Sequence, residues 1–211
     1  TMEDLHDMPQ QLYDGKIKKL REKTQGQLII KEYPTASAHS GHFKSLINEL
    51  ALKKSFRPDV IFIDYLNICA SSRFKGGNIS SYFYVKAIAE ELRGLAVESN
   101  VPIFSATQTT RTGFVSTDIG LEDTSESFGL PATADFMFAL ISNEELEALG
   151  QMKIKQLKNR YNDPSVNRAF IVGVDRSKMR LYDVQQKAGD IVNANQVDEK
   201  EDASNKFSDF K

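Results

Sequence analysis

Cysteines, histidines and long apolar runs are scarce in this chain of 211 residues. The single cysteine, Cys69, excludes an intrachain disulfide and suits a reducing compartment. His39 and His42 are the only close pair among the three histidines, and they have no cysteine or nearby acidic partner, so a zinc site is not expected. There is no stretch of about 18 apolar residues and no basic-then-apolar leader, so neither a membrane span nor a signal peptide is predicted.

A surplus of positive charge is also lacking, because the formal net charge is −2 at pH 7. Any contacts with nucleic acid must therefore come from local clusters of basic residues. The 40% hydrophobic and 27% charged residues are typical of a globular protein. The apolar pattern stops at about residue 185, which predicts one sizeable domain over residues 1–184 and a disordered polar tail over residues 185–211.

The chain also has no phosphate-binding loop of the form Gly-x-x-x-x-Gly-Lys-Ser/Thr. The nearest match places Lys44 and Ser45 after Gly41, but it has neither the Gly-Lys pair nor the second glycine. The first residue is Thr1, not an initiator methionine. Together these features favour a chain that begins inside a longer protein, downstream of such a loop.

Strand-like and helix-like segments alternate along the first two thirds of the chain. This alternation predicts an α/β fold with right-handed β-α-β crossovers and a mainly parallel sheet that has helices on both faces. The last third is hairpin-like and should extend one edge of the sheet antiparallel. Strands are predicted at residues 27–33, 60–64, 101–106, 134–141, 151–159, 169–174 and 179–184, and helices at residues 1–25, 41–54 (capped by Ser40) and 82–99.

Asp64 is the most informative single residue, because it follows the apolar run 60–63. A carboxylate at the C-terminal end of a buried strand lies where open parallel sheets place their ligands. Such an acid commonly orients Mg²⁺ beneath a nucleotide phosphate. A strand-end acid that caps the next turn is the alternative, although a charge after four apolar residues needs a reason.

Gln108 follows the predicted strand 101–106, and it would share a crevice with Asp64 if the two strands are parallel. Its amide is able to bond a γ-phosphate or the attacking water, as glutamines do in other phosphate-cleaving enzymes. A solvated glutamine after a strand is the other interpretation, and the residue taken alone favours it.

Lys158 and Arg160 lie where the predicted strand 151–159 ends before a turn. Both cations could project beyond the strand end towards a phosphate, for which the fork of arginine is well suited. A solvated, lysine-rich strand end is the alternative, and composition alone favours it.

Two polar loops, at residues 70–81 and 112–127, are candidates for contacts with a phosphate backbone. The first holds Arg73 and Lys75 in a glycine-rich segment, as expected for such contacts. Two ordinary surface loops with incidental charge fit the same pattern, and the pattern does not separate the two interpretations.

Four short motifs occur in a particular order along the chain. They are Ile63-Asp64-Tyr65-Leu66, Ala106-Thr107-Gln108-x-x-Arg111, Asp123-x-x-Glu126-Ser127 ahead of Ala134-Asp135, and Lys158-x-Arg160, and residues 85–93 and 129–136 add to them. In this order the chain resembles the C-terminal domain of DnaB-type replicative DNA helicases, most closely those of T-even-like bacteriophages. The resemblance covers about residues 1–184; each motif is weak alone, but four at suitable spacing are specific.

The resemblance implies a RecA-like P-loop ATPase core, truncated at its N-terminus, that uses ATP and Mg²⁺ and assembles as a hexameric ring around single-stranded DNA. Asp64 would be the Walker B aspartate that holds Mg²⁺, directly or through water, and Gln108 would sense the γ-phosphate. Arg160, with Lys158 beside it, would be the arginine finger that reaches a neighbour's ATP. The family's Walker A lysine and catalytic glutamate would lie upstream of Thr1.

The resemblance also implies that the two polar loops face DNA in the central channel. The residues concerned are Arg73, Lys75, Arg111, Ser125, Glu126, Ser127 and Phe128. Bacterial members of the family often have arginine at the position of Ser125 and glycine at that of Phe128. The resemblance therefore does not decide which side chains of the turn at residues 125–128 contact DNA. Backbone amides in the turn could still bind phosphate.

The implied function is the C-terminal portion of a phage replicative helicase, which couples ATP hydrolysis to translocation on single-stranded DNA and to duplex unwinding. A primase and a helicase loader would be its partners in the cytoplasm of the infected bacterium, and this portion alone is expected to be inactive. Two alternatives stay open. A RecA-type recombinase core shares the strand-end acid, and a degenerate, non-catalytic interaction module would explain the missing phosphate loop.

Overall fold

The computed structural model describes residues 1–74, 79–109, 120–121, 129–163 and 166–184. Its helices in these ranges are α1 Met2–His6, α2 Gln10–Lys23, α3 Ser40–Lys54, α4 Ser81–Ser99, α5 Gly129–Thr133 and α6 Glu144–Ala148. The strands are β1 Ile61–Ile63, β2 Ile103–Ser105, β3 Phe136–Ile141, β4 Gln151–Asn159, β5 Ala169–Asp175 and β6 Arg180–Asp183. The predicted tail, residues 185–211, lies outside the described ranges.

Helix α4 carries most of the hydrophobic core. Four of its buried residues, Val85, Ile88, Ala89 and Leu92, follow the spacing of one helix face and belong to one core cluster. This face packs against Leu66 after β1 and Leu130 of α5, with Phe43 of α3 and Ile63 of β1 partly buried beside it. The helix ends at Asn100, which adopts a left-handed conformation (φ 54°) and donates its backbone N–H to Ala96 O and Val97 O. The buried apolar residues of α4 are Val85, Ala87, Ile88, Ala89, Leu92 and Leu95.

Ile88 is the most deeply buried large side chain of this core, at 1% exposure. Replacing Ile88 with alanine removes most of the side chain and leaves a cavity, so the free energy of unfolding is expected to fall by about 2–5 kcal/mol. Val97→Ala on the same helix is the matched control, because Val97 is 73% exposed and its loss should change stability by about 0.5 kcal/mol or less. Urea unfolding followed by circular dichroism measures both, and equal small effects would contradict the buried face of α4.

Strands β1 and β2 pair in parallel, with Ile61 opposite Ile103 and Ile63 opposite Ser105. Helix α4 lies between them in the chain and forms the crossover that parallel strands require. This confirms the predicted parallel pairing of the 60–64 and 101–106 segments. Because the strands are parallel, their C-terminal ends lie at the same edge of the sheet.

The rest of the predicted sheet differs from the structure. The strands of the last third pair antiparallel, as predicted, but within the described residues β3 to β6 form a separate sheet in the order β3-β4-β5-β6 and do not extend the β1–β2 pair. Among the described residues the parallel part is therefore the smaller one. The predicted strand at residues 27–33 belongs to neither sheet, and its Leu28 and Ile30 are 81% and 83% exposed. An apolar pattern alone does not make a strand, because ladder hydrogen bonds need a neighbouring strand.

Helices cover only one face of the β1–β2 pair within the described residues. Ile63 faces the core of α4, whereas Phe62 and Phe104 lie on the opposite face, since side chains alternate along a strand. Their rings stack with centroids 5.4 Å apart and stay 73% and 49% exposed. The prediction of helices on both faces is therefore not met in this part of the chain.

The histidine pair caps a helix. His39, not the predicted Ser40, is the N-cap of α3, and its Nδ1 accepts the backbone N–H of Gly41 at 3.0 Å. The Nδ1 of His42 in turn accepts the backbone N–H of His39 at 3.2 Å. A reciprocal cap of this kind satisfies backbone donors that the first turn of a helix leaves free.

No helix in the described ranges combines the length and apolarity that crossing a bilayer requires.

Candidate functional site

Asp64 lies directly beyond β1, at the edge where both parallel strands end, and its side chain is exposed. The backbone beyond the two strands stays paired, because the Leu66 N–H donates to Ala106 O at 3.1 Å. Open parallel sheets bind their ligands at this edge, outside the carboxyl ends of the strands. The carboxylate is thus accessible at the place where such a fold binds a ligand.

Gln108 is held at the same edge as Asp64. Its Nε2 donates to the hydroxyl of Tyr65, the residue after Asp64, at 3.3 Å. The hydroxyl of Thr107 donates to Asn67 Oδ1 at 2.8 Å. These side-chain bonds tie the segment after β2 to the segment after β1. The structure therefore brings the acid and the amide to one edge, with both exposed.

The chemistry of this edge fits Mg²⁺. Magnesium prefers oxygen ligands, keeps several waters, and is commonly held by one or two carboxylates together with substrate phosphates. Within the described ranges, no group of three or more His, Cys, Asp and Glu side chains could hold a metal. A single exposed carboxylate such as Asp64 is compatible with Mg²⁺ that binds together with a phosphate ligand.

Lys158 and Arg160 lie at the end of β4 against the C-terminal carbonyls of α5. Lys158 Nζ donates to Pro131 O and, at 3.4 Å, to Ala132 O. Arg160 Nη2 donates to Ala132 O at 3.0 Å. The last carbonyls of a helix have no intrahelical partner and carry partial negative charge, so cations suit them. Both predicted phosphate-binding cations therefore bind their own chain in this structure.

Arg93 of α4 is a third cation in this region. Its Nη1 donates to Thr133 O at 2.6 Å and pairs with Asp135 Oδ1 at 2.7 Å. The same carboxylate oxygen pairs with Arg160 Nη1 at 3.3 Å, and the Arg160 backbone N–H donates to Asp135 O at 3.0 Å. We refer to Arg93, Lys158 and Arg160 as the cationic cluster. Asp135 therefore joins two of its three members.

Among the described residues, Asp135 is the carboxylate that pairs with the cationic cluster, through Arg93 and Arg160. Burial lowers the pKa of Lys158, and the nearby charge of Arg160 lowers it further. Arg160 is 46% exposed and Arg93 is 39% exposed. Guanidinium groups that solvent can reach are suited to an anion such as a phosphate.

Arg73 is the predicted DNA contact that the structure describes. Its guanidinium pairs with Glu90 of α4, and the side chain is 52% exposed. This pair uses Nη1 of the guanidinium, so its other donors remain for a phosphate, with which Glu90 would compete. The other predicted contacts, namely Lys75, Arg111, Ser125, Glu126, Ser127 and Phe128, lie outside the described residues.

Glu91 joins the start of the first polar loop to α4. Its carboxylate accepts hydrogen bonds from Ser71 Oγ at 2.6 Å, from Ser72 N at 2.9 Å and from Ser72 Oγ at 2.7 Å. The hydroxyl of Ser40, at the start of α3, donates to it at 3.0 Å. Burial alone would raise the pKa of Glu91, but the hydrogen bonds from Ser71, Ser72 and Ser40 outweigh it and lower the pKa to about 2.

This lowered pKa predicts how Glu91 contributes to acid stability. Because the pKa in the folded state lies below the ordinary value of 4.5, the contribution is fully present above pH 4.5 and is lost as the pH falls towards 2. The stability advantage of wild type over Glu91→Gln should therefore stay constant down to about pH 4.5 and shrink as the pH falls from there to 3. Urea unfolding at a series of pH values measures this difference, and a constant difference would contradict the hydrogen-bonded carboxylate.

The sequence analysis assigned no role in the site to several of these residues. Glu91 and Arg93 look like ordinary polar positions of an amphipathic helix, and Asp135 belongs to a quoted motif but lies inside the predicted strand 134–141. Tyr65 and Asn67 are signalled only by their nearness to Asp64 in the chain. Three of their hydrogen bonds join residues that are 40 or more positions apart in the chain, so local sequence patterns do not reveal them.

Comparisons with known proteins identify a relative of this chain by sequence and two similar solved structures. No protein-family model matches the chain. A DnaB-like replicative helicase of Enterobacteria phage T4 is 48% identical over 175 residues, which is 82% of this chain and 37% of that protein. This chain thus spans 37% of the length of that relative.

Two solved structures share the fold at low sequence identity. One, described as an ATPase domain, has a TM-score of 0.62 at 17% identity, over 81% of this chain and 65% of that chain. A DnaB-like replicative helicase, described together with its interactions with primase, has a TM-score of 0.67 at 16% identity, over 85% of this chain and 42% of that chain. These likenesses support the predicted RecA-like helicase ATPase fold. With 48% identity over most of its length, the chain belongs to the family of DnaB-like replicative helicases.

Proposed function

We propose that this chain is the C-terminal part of the ATPase domain of a phage replicative helicase, which hydrolyses ATP to move along single-stranded DNA and to unwind duplex. The observation that carries the proposal is the 48% identity to part of a DnaB-like replicative helicase. The strand-end arrangement of Asp64 and Gln108 supports it, because it places an acid and an amide where this fold binds a ligand.

Asp64 is the proposed ligand of Mg²⁺, directly or through water. When bound with ATP, the ion would neutralise negative charge on the phosphates. Gln108 is proposed to sense the γ-phosphate through its side-chain amide. Its bond to Tyr65, and that of Thr107 to Asn67, give the sensor a fixed starting position beside Asp64.

Arg160 is proposed to act on the nucleotide of a neighbouring subunit, with Lys158 beside it. Its exposure supports this role, because a phosphate could replace part of its present bonding. A finger that acts across an interface makes hydrolysis depend on assembly, and we propose a homo-hexameric ring around single-stranded DNA. The chain of 211 residues alone is therefore expected to hydrolyse no ATP.

DNA binding is proposed for the two polar loops, through Arg73 and Lys75 in the first, and Arg111 and residues 125–128 at the second. Glu91 supports this role for the first loop, since it holds the backbone that leads into it. A primase and a helicase loader are the proposed protein partners. The structurally similar DnaB-like helicase, described with its interactions with primase, supports the first of them.

The proposal is tested on the intact subunit that contains this chain. ATP turnover should rise on addition of single-stranded DNA, and the protein should unwind a forked duplex only with ATP and Mg²⁺. Electron microscopy with an ATP analogue and DNA should show closed rings. Open filaments that pair homologous strands would indicate a recombinase instead, and failure to hydrolyse ATP under any of these conditions would indicate a non-catalytic interaction module.

A further inference from the structure

Three cations bind the three carbonyls that end α5, and the shortest contact of each is to a different carbonyl. Lys158 donates to Pro131 O, Arg160 to Ala132 O at 3.0 Å, and Arg93 to Thr133 O at 2.6 Å. Lys158 belongs to β4 and Arg160 directly follows it, whereas Arg93 belongs to α4. The end of α5 thus acts as a common binding surface that sets the positions of the cations relative to one another.

Asp135 adds a second contact to Arg160. The guanidinium is held at Nη2 by Ala132 O and at Nη1 by Asp135 Oδ1, at 3.0 and 3.3 Å. A guanidinium carries five N–H donors in a rigid fork, so two such contacts orient it and leave other donors for an incoming anion. The 46% exposure of the side chain is consistent with access for that anion.

Arg93 is the nearer partner of Asp135, at 2.7 Å against 3.3 Å for Arg160. If Arg160 moves to a phosphate, Arg93 still pairs with the carboxylate. This matters because Asp135 is only about one-third exposed, and a carboxylate left without a partner in that environment costs free energy. Arg93 therefore lowers the cost of releasing Arg160.

We propose that Asp135 and Arg93 are positioning residues for Arg160. Asp135 orients the guanidinium before it meets phosphate, and Arg93 holds Asp135 in place and keeps it paired after Arg160 leaves. This inference rests on the proposed role of Arg160 in hydrolysis. It assigns a function to two side chains that the helicase proposal alone does not use.

The test measures steady-state ATP turnover of the intact, ring-forming subunit with saturating single-stranded DNA. Asp135→Asn should lower kcat by about 10- to 100-fold with little change in KM, because misplacing a catalytic group by about 1 Å has effects of this size. Arg93→Gln should lower kcat in the same way. Arg93→Lys should recover most of the turnover, since a lysine ammonium has three donors and can serve both Thr133 O and Asp135.

A double-mutant cycle separates positioning from a purely structural role. In the Arg160→Ala background, Asp135→Asn should cause no further loss of kcat, because the group that it positions is already absent. A full additional loss in that background would overturn the inference. If Asp135→Asn rings assemble poorly, the cycle is run with Arg93→Gln in place of Asp135→Asn, because Arg93→Gln leaves the Asp135–Arg160 pair in place. Arg93→Gln should then cause no further loss of kcat in the Arg160→Ala background.

The inference and the helicase proposal fail in different ways. Wild-type kcat in Asp135→Asn, alongside a large loss in Arg160→Ala, overturns the positioning role only. Wild-type kcat in Arg160→Ala removes the finger role of Arg160 and with it the inference. A lower kcat in Asp135→Asn, Arg93→Gln and Arg160→Ala, recovery in Arg93→Lys, and no further loss in the double mutant together support the inference and the finger role of Arg160.

Discussion

Replacing Arg160 with alanine in the intact subunit is expected to lower the ATP turnover of assembled rings by about 10³- to 10⁵-fold, the range that an arginine finger contributes. The physical reason is that a guanidinium placed beside the transferred phosphoryl group stabilises negative charge in the transition state. Ring assembly should persist, because the exposed Arg160 is one of three cations on the end of α5. Steady-state turnover with saturating single-stranded DNA measures the effect.

Arg176→Ala is the matched control for this change. Arg176 is also an exposed arginine that follows a strand, and it pairs with Glu147 at 3.3 Å rather than with Asp135. Its loss should leave turnover within about twofold of wild type, since exposed ion pairs contribute little. Similar losses in both variants, or full activity in Arg160→Ala, would contradict the finger role.

Replacing Asp64 with asparagine is the second change with a large expected effect. Asparagine keeps the size of the side chain but removes the charge that favours Mg²⁺, so turnover should fall by at least about 10²- to 10³-fold, as when one group that stabilises transition-state charge is removed. Nucleotide binding should also lose most of its dependence on Mg²⁺. Turnover and a Mg²⁺ titration of nucleotide binding measure the two effects.

Asp59→Asn is the control, because Asp59 is an exposed aspartate that precedes β1, whereas Asp64 follows it. The two residues lie at opposite ends of one strand, so only the second is at the ligand-binding edge. Asp59→Asn should therefore keep wild-type turnover and Mg²⁺ dependence. A Mg²⁺ dependence unchanged by Asp64→Asn would remove the proposed role of this carboxylate.

Local patterns predict the part of the fold that carries the nucleotide-site candidates. The apolar runs before Asp64 and Gln108 become β1 and β2, and the apolar spacing of residues 82–99 becomes the buried face of α4. These elements are predictable because their side-chain periodicity matches the environment that each buries. The shared edge of Asp64 and Gln108 then follows from parallel pairing.

The remaining features depend on contacts that no local pattern encodes. The segment 27–33 has the composition of a strand but belongs to neither sheet. The cationic cluster is assembled from α4 and the end of β4, which lie far apart in the chain, around a short helix that the pattern does not predict. Side chains such as Arg93 acquire a role only when tertiary packing brings these elements together.

The most direct test of cooperation between subunits mixes two inactive variants of the intact protein, Asp64→Asn and Arg160→Ala. Where an Arg160→Ala subunit supplies Asp64 and its neighbour, an Asp64→Asn subunit, supplies Arg160, the shared site is complete. Mixed rings should therefore regain DNA-stimulated ATP turnover that neither variant shows alone. Mixed rings as inactive as the separate variants would show that residues 64 and 160 serve the same subunit, and would contradict the account.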